Sequence, residues 1–185
     1  DFYAAYNCID QTQRCLVHLL RDIKTERELL GSKLLEHFEQ ALRRFIDKGL
    51  EVQAMPEGDA KQKALAELDR DLHRLTKMNV TKGKAETLVR RIEKYRDDII
   101  RFATHPGVKF HNNRAERQLR PLVVNRKVSF GSNTEHGARR YCVIHTVIET
   151  CKLQQIDPVD FIRRAYVSGG LDVPDLTGAG PPKVA

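Results

Sequence analysis

The sequence has no apolar run long enough to span a bilayer and no pattern of a secretory signal peptide. It is also poor in serine and contains no G-x-S-x-G nucleophile elbow. These absences argue against a membrane protein and against a serine hydrolase. Of its four cysteines, Cys142 and Cys151 fall within or beside an apolar helical pattern, where a buried thiol is ordinary. We therefore expect a reducing, cytoplasmic setting.

Positive charge is abundant and concentrated in one region. The 185 residues include 32 Lys and Arg against 25 Asp and Glu, which gives a formal net charge of +7 and a pI of about 9.3. Between Arg101 and Arg140 there are nine basic residues and only two acids, Glu116 and Glu135. This balance favours a polyanionic partner. With 41% hydrophobic residues, the chain can bury the core of one domain.

Apolar residues recur at helical spacing through the first half of the chain. The first pattern predicts a helix from Glu26 to Ile46 that stops at Gly49. Two further stripes predict a helical hairpin joined by the polar linker NVTKGK. We interpret both stripes as core rather than as cofactor contacts. The stripes consist of Leu65, Leu68, Leu72, Leu75 and Met78, and of Leu88, Ile92, Tyr95, Ile99 and Phe102.

Two other segments have extended character. Residues 13–19, QRCLVHL, could form a short buried strand that runs into a helix. After the break at THPGV, a short helix from Asn113 to Arg120 is expected to end at Pro121. Residues 122–130, LVVNRKVSF, then look extended because β-branched residues alternate with charges.

The remainder predicts two helices and a tail. Ser132 and Glu135 have the spacing of a capping box, which opens a helix through Leu153. Its apolar face includes Val143, Val147, Ile148 and Cys151. Asp157-Pro158 starts a last helix, which Gly169-Gly170 ends. The tail over residues 169–185 is rich in Gly and Pro and is expected to be mobile.

The segment FHNNRAERQLRP at 110–121 places one carboxylate, Glu116, among Arg114, Arg117 and Arg120. Glu116 and Arg120 are four residues apart, so they could form an ordinary helix ion pair, with Asn112 or Asn113 as the helix cap. Alternatively, this face of the helix could bind a hard divalent cation through the carboxylate while the arginines hold phosphates. One carboxylate does not make a two-metal site.

Another acid that suggests a partner is Asp1, in DFYAAY at 1–6. Together with QRCLVHLLRD at 13–22, HNNRAERQLRPLVVNRKVSFGS at 111–132, EHGARRY at 135–141 and IETCKLQQIDPVDFI at 148–162, it forms an ordered series of motifs. In these motifs the chain resembles the C-terminal part of the DDE transposase domain of the IS66 family of bacterial insertion sequences. His111 stands where members of that family often carry Asp.

The resemblance implies a fold that is mainly α with a partial α/β core. Residues 1–168 would be the C-terminal part of an RNase H-like catalytic domain, with a helical insertion at 23–105. The family's Asp-Asp-Glu triad holds two Mg²⁺ or Mn²⁺ ions. Asp1 matches its second aspartate and Glu116 its glutamate, with Asn112 and Asn113 beside the site. The first aspartate and the early strands are expected to precede Asp1.

The implied function is metal-dependent DNA strand cleavage and strand transfer by phosphoryl transfer. The partners would be the transposon ends and target DNA, in the bacterial cytoplasm and nucleoid, and a homo-oligomer is left open. Backbone phosphates would be bound by Arg114, Arg117, Arg120, Arg126, Lys127, Arg139 and Arg140, although Arg120 could instead brace Glu116. Two alternatives stay open: a non-catalytic DNA-binding remnant of a transposase, and a helical interaction module.

Other candidate sites are weaker. Cys8, Cys15 and His18 suggest zinc, but the spacing lacks a clear fourth ligand. We expect Cys15 in the core, with His18 and Arg21 on the active-site side of the fold or paired locally. Cys142 and His145, three apart on one helix, make an unconvincing nucleophile pair.

Overall fold

The computed structural model describes Phe2, residues 7–78, residues 84–170 and Leu176. The chain divides into two compact units, Asp1–Asn112 and Asn113–Ala185. Eight helices and no strand occur within the described ranges. The mainly α class is therefore confirmed, whereas the predicted partial α/β core finds no support in this part of the chain. Among the same residues, no helix combines the length and apolarity needed to cross a bilayer.

The first unit contains five helices. These are α1 (Leu16–Leu30), α2 (Lys33–Ala54), α3 (Asp59–Lys77), α4 (Lys84–Lys94) and α5 (Arg96–Thr104). Helix α2 packs against α1, α3 and α5, and α3 also packs against α4. Apolar side chains from all five helices meet in one core. The largest buried members are Phe38, Phe45, Phe102, Leu16, Leu19, Ile23, Leu42, Leu68, Leu72, Ile92 and Ile99.

The two predicted core stripes are confirmed, but the second stripe is divided between two helices. Leu68, Leu72 and Leu75 are buried on α3, while Leu65 and Met78 pack at the edge of the core. The second stripe is interrupted at Tyr95, whose backbone lies outside the helical region, so α4 ends at Lys94 and α5 begins at Arg96. The predicted linker lies largely outside the described residues.

The predicted helix from Glu26 to Ile46 is wrong, because two helices occupy that stretch. Gly31 adopts a left-handed conformation, with φ of 59°, and closes α1 by donating its N–H to the carbonyl of Arg27. Ser32 then caps α2 by accepting a hydrogen bond from the N–H of Leu35. These local caps end one helix and start the next although the apolar spacing continues across them.

The predicted stop at Gly49 is also wrong, since α2 continues to Ala54. Gly49 lies inside the helix, where the ring of Phe102 packs against its Cα. A Cβ atom at this position would lie 2.3 Å from Cζ of Phe102. Glycine therefore serves close packing between α2 and α5 here, and it does not terminate the helix.

The segment before α1 is not a strand. Cys15 is the N-cap of α1, and the helix begins at Leu16. Two backbone hydrogen bonds hold this segment to distant parts of the unit. The N–H of Arg14 donates to the carbonyl of Asp98, and the N–H of Leu16 donates to the carbonyl of Phe110. These isolated bonds satisfy the backbone without forming a ladder.

The second unit contains three helices: α6 (Asn113–Val128), α7 (Glu135–Leu153) and α8 (Pro158–Ser168). Two predictions about α6 are wrong, because the helix continues through Pro121 and residues 122–128 are helical rather than extended. Leu122 and Asn125 lie on the side of α6 that faces a cleft against α7, where Nδ2 of Asn125 donates a hydrogen bond to the hydroxyl of Tyr141. Ser129 and Phe130 follow the helix.

The other two helices begin largely as predicted. Helix α7 spans Glu135–Leu153, but its cap is Thr134, which accepts the N–H of Gly137, and not Ser132. Asp157 caps α8 by accepting the N–H of Val159. At its end, Gly169 is left-handed, with φ of 62°. The expected tail, apart from its first two residues and Leu176, lies outside the described residues.

The second unit buries few side chains. In its described part, Cys151 and Phe161 are the buried apolar residues, and α6 buries none. Of the predicted face of α7, Cys151 is buried but Val143 is exposed. Cys142 is also exposed, so the expectation of a buried thiol at that residue is wrong. The large exposed apolar residues are Leu119, Val123, Val124, Val128, Phe130, Tyr141, Val143, Ile144, Leu153, Val159, Ile162, Tyr166 and Val167.

Candidate functional site

Glu116 lies in the first turn of α6 and is exposed. A carboxylate is favourable there because the helix N-terminus carries partial positive charge. The side chains of Arg114, Arg117 and Arg120 are exposed along the same helix. The local sequence therefore places one oxygen-donor side chain in a strongly basic and solvent-accessible setting. Its predicted ion pair with Arg120 stays a prediction.

The residues that were predicted to lie near Glu116 differ in how the structure places them. Asp1 lies outside the described residues, so its predicted meeting with Glu116 stays untested. Asn113 is the first residue of α6 and is exposed. Asn112 is the last residue of the first unit, and its Oδ1 atom is buried without a hydrogen-bond partner among the described residues. Its neighbour His111 also buries Nδ1 unpaired, with the ring 4.9 Å from that of Phe110.

The basic residues of α6 fall on different sides of the helix. Arg120 and Lys127 are seven residues apart, close to two full turns, and so lie on the same side as Glu116. Arg126 lies about a quarter to a third of a turn away from both and lines a cleft against α7. Of the predicted phosphate contacts on α6, Arg120 and Lys127 therefore share an outer face with Glu116, and Arg126 belongs to this cleft.

The cleft between α6 and α7 has a volume of about 620 Å³. A hydrogen bond from Nδ2 of Asn125 to the hydroxyl of Tyr141 joins the two helices across it. Its lining is formed by Leu122, Asn125, Arg126, Ser129, Phe130, Gly131, Ser132, Gly137, Ala138, Tyr141 and Cys142. Phe130 and Tyr141 had no role in the sequence-based prediction. For Phe130, an aromatic residue three positions after the basic pair Arg126-Lys127 is a signal that could have indicated a role.

Arg139 and Arg140 belong to another face of α7. They border a shallow depression of about 300 Å³ together with His136, Val143 and Ile144. These residues are not among those that line the cleft with Arg126. The structure thus distributes the seven predicted phosphate-binding side chains over several surfaces of one unit, all of them exposed.

The cysteine and histidine candidates are placed as follows. Cys15 is buried, which confirms its predicted position in the core, while Cys8 is exposed. On α7, Nε2 of His145 lies 3.1 Å from the backbone oxygen of Gln118 on α6, so the ring has a hydrogen-bond partner on the neighbouring helix. Burial raises the pKa of the Cys151 thiol, and the nearby Asp157 adds to the effect. None of these features indicates a nucleophile.

The described residues are mainly helical, and the exposed Glu116 lies among exposed arginines of α6, a setting typical of the class of proteins that bind polyanions. The profile described as "Transposase IS66 family" matches residues 1–140, and the chain belongs to that family. That span contains both Asp1 and Glu116.

A relative with a curated sequence is similar over part of the chain. It is "Uncharacterized protein y4qI" from Sinorhizobium fredii (strain NBRC 101917 / NGR234), which is 31% identical over 81 residues. The aligned stretch covers 44% of this chain and 15% of that protein. No solved structure is significantly similar to the chain.

Proposed function

We propose that this chain forms part of an insertion-sequence transposase of the DDE type, which cleaves DNA strands and transfers them by metal-dependent phosphoryl transfer. The observation that carries the proposal is the family match through Asp1 and Glu116, together with the exposed position of Glu116 at the start of a basic helix. We further propose that Asp1 and Glu116 are catalytic metal ligands.

The chemistry of the donor set fits Mg²⁺ or Mn²⁺. Carboxylate oxygens are the ligands that these hard cations prefer, and Mg²⁺ commonly takes one or two of them besides water and substrate phosphate. We propose that Asn112 and Asn113, whose side chains also carry amide oxygens, support the site. When bound, the metal would activate the attacking hydroxyl or water and stabilise the leaving oxygen.

The remaining residues position the DNA. Arginine side chains bind phosphate oxygens through paired N–H groups, and such contacts orient a duplex without reading its sequence. We propose that Arg114, Arg117, Arg120, Arg126, Lys127, Arg139 and Arg140 hold the transposon ends and target DNA. Because these groups lie on several faces of the second unit, they would contact more than one stretch of backbone.

Complete catalysis requires more than these two acids, because a two-metal site needs several converging carboxylates. We propose that the third acid and an RNase H-like core are supplied by a longer protein of which residues 1–168 are part. The aligned stretch makes up 15% of the relative, which is consistent with such a protein. It would act in the bacterial cytoplasm at the nucleoid.

Metal binding can be tested on the chain itself. Mn²⁺ added during NMR spectroscopy should broaden the amide signals of Asn113 to Arg117, and Glu116→Gln should abolish the effect. Glu135→Gln is a matched control, because Glu135 is also an acid in the first turn of a helix in this basic unit. Equal broadening in wild-type protein and Glu116→Gln would remove Glu116 from the metal site.

Activity can be tested in a full-length transposase that contains this segment. There, Glu116→Gln should abolish Mg²⁺-dependent cleavage while DNA binding is retained. Persistent cleavage would contradict the proposal. DNA binding without cleavage by the wild-type protein would favour the non-catalytic remnant, and absence of DNA binding at moderate salt would favour the interaction module.

A further inference from the structure

Phe130 is the most unusual side chain of the second unit. It is 96% exposed and lies at the rim of the cleft between α6 and α7. Its backbone is left-handed, with φ of 58°, a conformation that residues with bulky side chains rarely adopt. Exposure of a large apolar ring and strained backbone are both unfavourable for an isolated domain, and together they mark a candidate binding position.

The turn that holds Phe130 is built against Arg126. The next residue, Gly131, is also left-handed, with φ of 83°, and a Cβ at Gly131 would lie 3.5 Å from Cγ of Arg126. The two consecutive left-handed residues reverse the chain after α6 and keep the Phe130 ring and the Arg126 side chain on the same cleft. The cleft is therefore lined by an aromatic face and a cation.

The other polar groups of the cleft are hydroxyls and amides. Ser129, Ser132, Asn125 and Tyr141 line it, and none of its lining residues is an acid. Its volume of about 620 Å³ lies within the range of ordinary ligand sites, which is roughly 300–1,000 Å³. The cleft thus combines a cation, an aromatic ring and neutral hydrogen-bonding groups, and it contains no carboxylate. This combination suits a ligand in which a flat ring is joined to an anionic group.

We propose that this cleft binds one unpaired nucleotide of single-stranded DNA. The base would stack on Phe130, its edge would meet Asn125 and Tyr141, and its phosphate would pair with Arg126. A base within a duplex is already stacked on its neighbours and offers no open face to a side chain, whereas an unpaired base does. The inference rests on the proposed DNA partner and adds a preference for unpaired DNA at this cleft.

The test compares single-stranded and duplex oligonucleotides of the same sequence, measured by fluorescence anisotropy with the 185-residue chain at one fixed salt concentration. Phe130→Ala should weaken single-strand binding about tenfold, which corresponds to roughly 1.4 kcal/mol, and change duplex binding less than twofold. Tyr166→Ala is the matched control, since Tyr166 is 89% exposed on α8 and does not line the cleft. It should change neither affinity.

The exposed thiol of Cys142 gives a second readout, because it lines the cleft. Saturating single-stranded oligonucleotide should slow its alkylation in wild-type protein, and Phe130→Ala should remove this protection. An alkylation rate of Cys142 that the oligonucleotide does not change would overturn the proposal. So would protection of Cys142 from alkylation in the absence of DNA that increases with protein concentration, because it would indicate a second copy of the chain in the cleft.

The outcomes separate this inference from the proposed function. Equal losses of single-strand and duplex binding in Phe130→Ala would overturn the nucleotide site while leaving DNA as the partner. Equal losses of single-strand affinity in Phe130→Ala and Tyr166→Ala would likewise overturn the nucleotide site and leave DNA as the partner. Failure of the wild-type chain to bind either form of DNA would count against both this site and DNA binding itself.

Discussion

The ring of Phe102 packs directly on the Cα of Gly49, so that helices α2 and α5 approach more closely there than a side chain at Gly49 would allow. A Cβ at residue 49 would lie 2.3 Å and 2.6 Å from two ring carbons. Phe102 is fully buried, and its ring meets that of Phe45 edge to face at 6.2 Å. The ring therefore has little room to move aside.

Gly49→Ala is accordingly expected to destabilise the first unit by about 1–3 kcal/mol through overpacking, despite the better helix propensity of alanine. Urea unfolding followed by circular dichroism measures the loss. The double variant Gly49→Ala/Phe102→Leu is the control, since a smaller side chain relieves the clash. Its total loss should be smaller than the sum of the two single losses, and strict additivity would refute the contact.

Arg14 is a buried cation whose charge is satisfied on several sides. Its Nε donates to Oδ2 of Asp98 at 3.1 Å, one terminal nitrogen donates to Oδ1 of Asn7 at 2.8 Å, and the guanidinium lies 4.3 Å from the centre of the Tyr95 ring. Arg14→Ala should cost about 2–4 kcal/mol, because it leaves polar partners without their donor.

The matched control for Arg14 is Arg90→Ala. Arg90 pairs with Glu86 four residues away on the exposed side of α4, and such a pair contributes only tenths of a kcal/mol. Similar losses of unfolding free energy in the two variants would show that burial does not distinguish Arg14.

Lys48 and Asp71 join α2 to α3 through a hydrogen bond of 2.7 Å. The hydrogen bond from Lys48 lowers the pKa of Asp71 below its ordinary value, and Lys48 and Arg74 also lower it through their charges, while desolvation opposes them. A lowered folded-state pKa means that the pair stabilises the fold above the unfolded-state pKa. This stabilisation is lost as the pH falls through the folded-state pKa.

Asp71→Asn should therefore reduce the unfolding free energy at neutral pH, and the difference from wild type should shrink toward zero in acid. Lys48 is about half exposed, so solvent screening limits the effect to less than about 1 kcal/mol. Unfolding measured from pH 7 down to pH 2 provides the comparison. A difference that is constant with pH would exclude the pair as its cause.

Arg120 and Lys127 share the outer face of α6 with Glu116, and their contribution to DNA binding should depend strongly on salt. Each phosphate contact releases condensed counterions, so Arg120→Ala/Lys127→Ala should lower the slope of log affinity against log salt by roughly 1.8 on duplex DNA. Arg163→Ala is the control, because Arg163 pairs with Asp160 on α8. An unchanged slope in the double variant would remove this face from the DNA interface.

Local chemistry was sufficient to predict several elements. The stripes through Leu72 and Ile92 form the core, Asp157 caps the last helix, and Gly169 ends it. The motifs that carry the family resemblance, including the one that contains Glu116, lie within the matched span. In each case the cause lies within a few residues of chain or in a short motif, so the sequence alone specifies it.

Other features depend on residues far apart in the chain. Gly49 looked like a helix stop, but packing against Phe102 makes it an interior residue of α2. Residues 122–128 looked extended, yet they are helical, and α6 thereby places Arg126 in the cleft that Tyr141 also lines. Propensity differences amount to less than about 1 kcal/mol per residue, and tertiary contacts exceed them. The sequence by itself thus determined the family and most helices, whereas the tertiary structure decided that α2 continues past Gly49, because Phe102 packs there, and which side chains of α6 and α7 share the cleft.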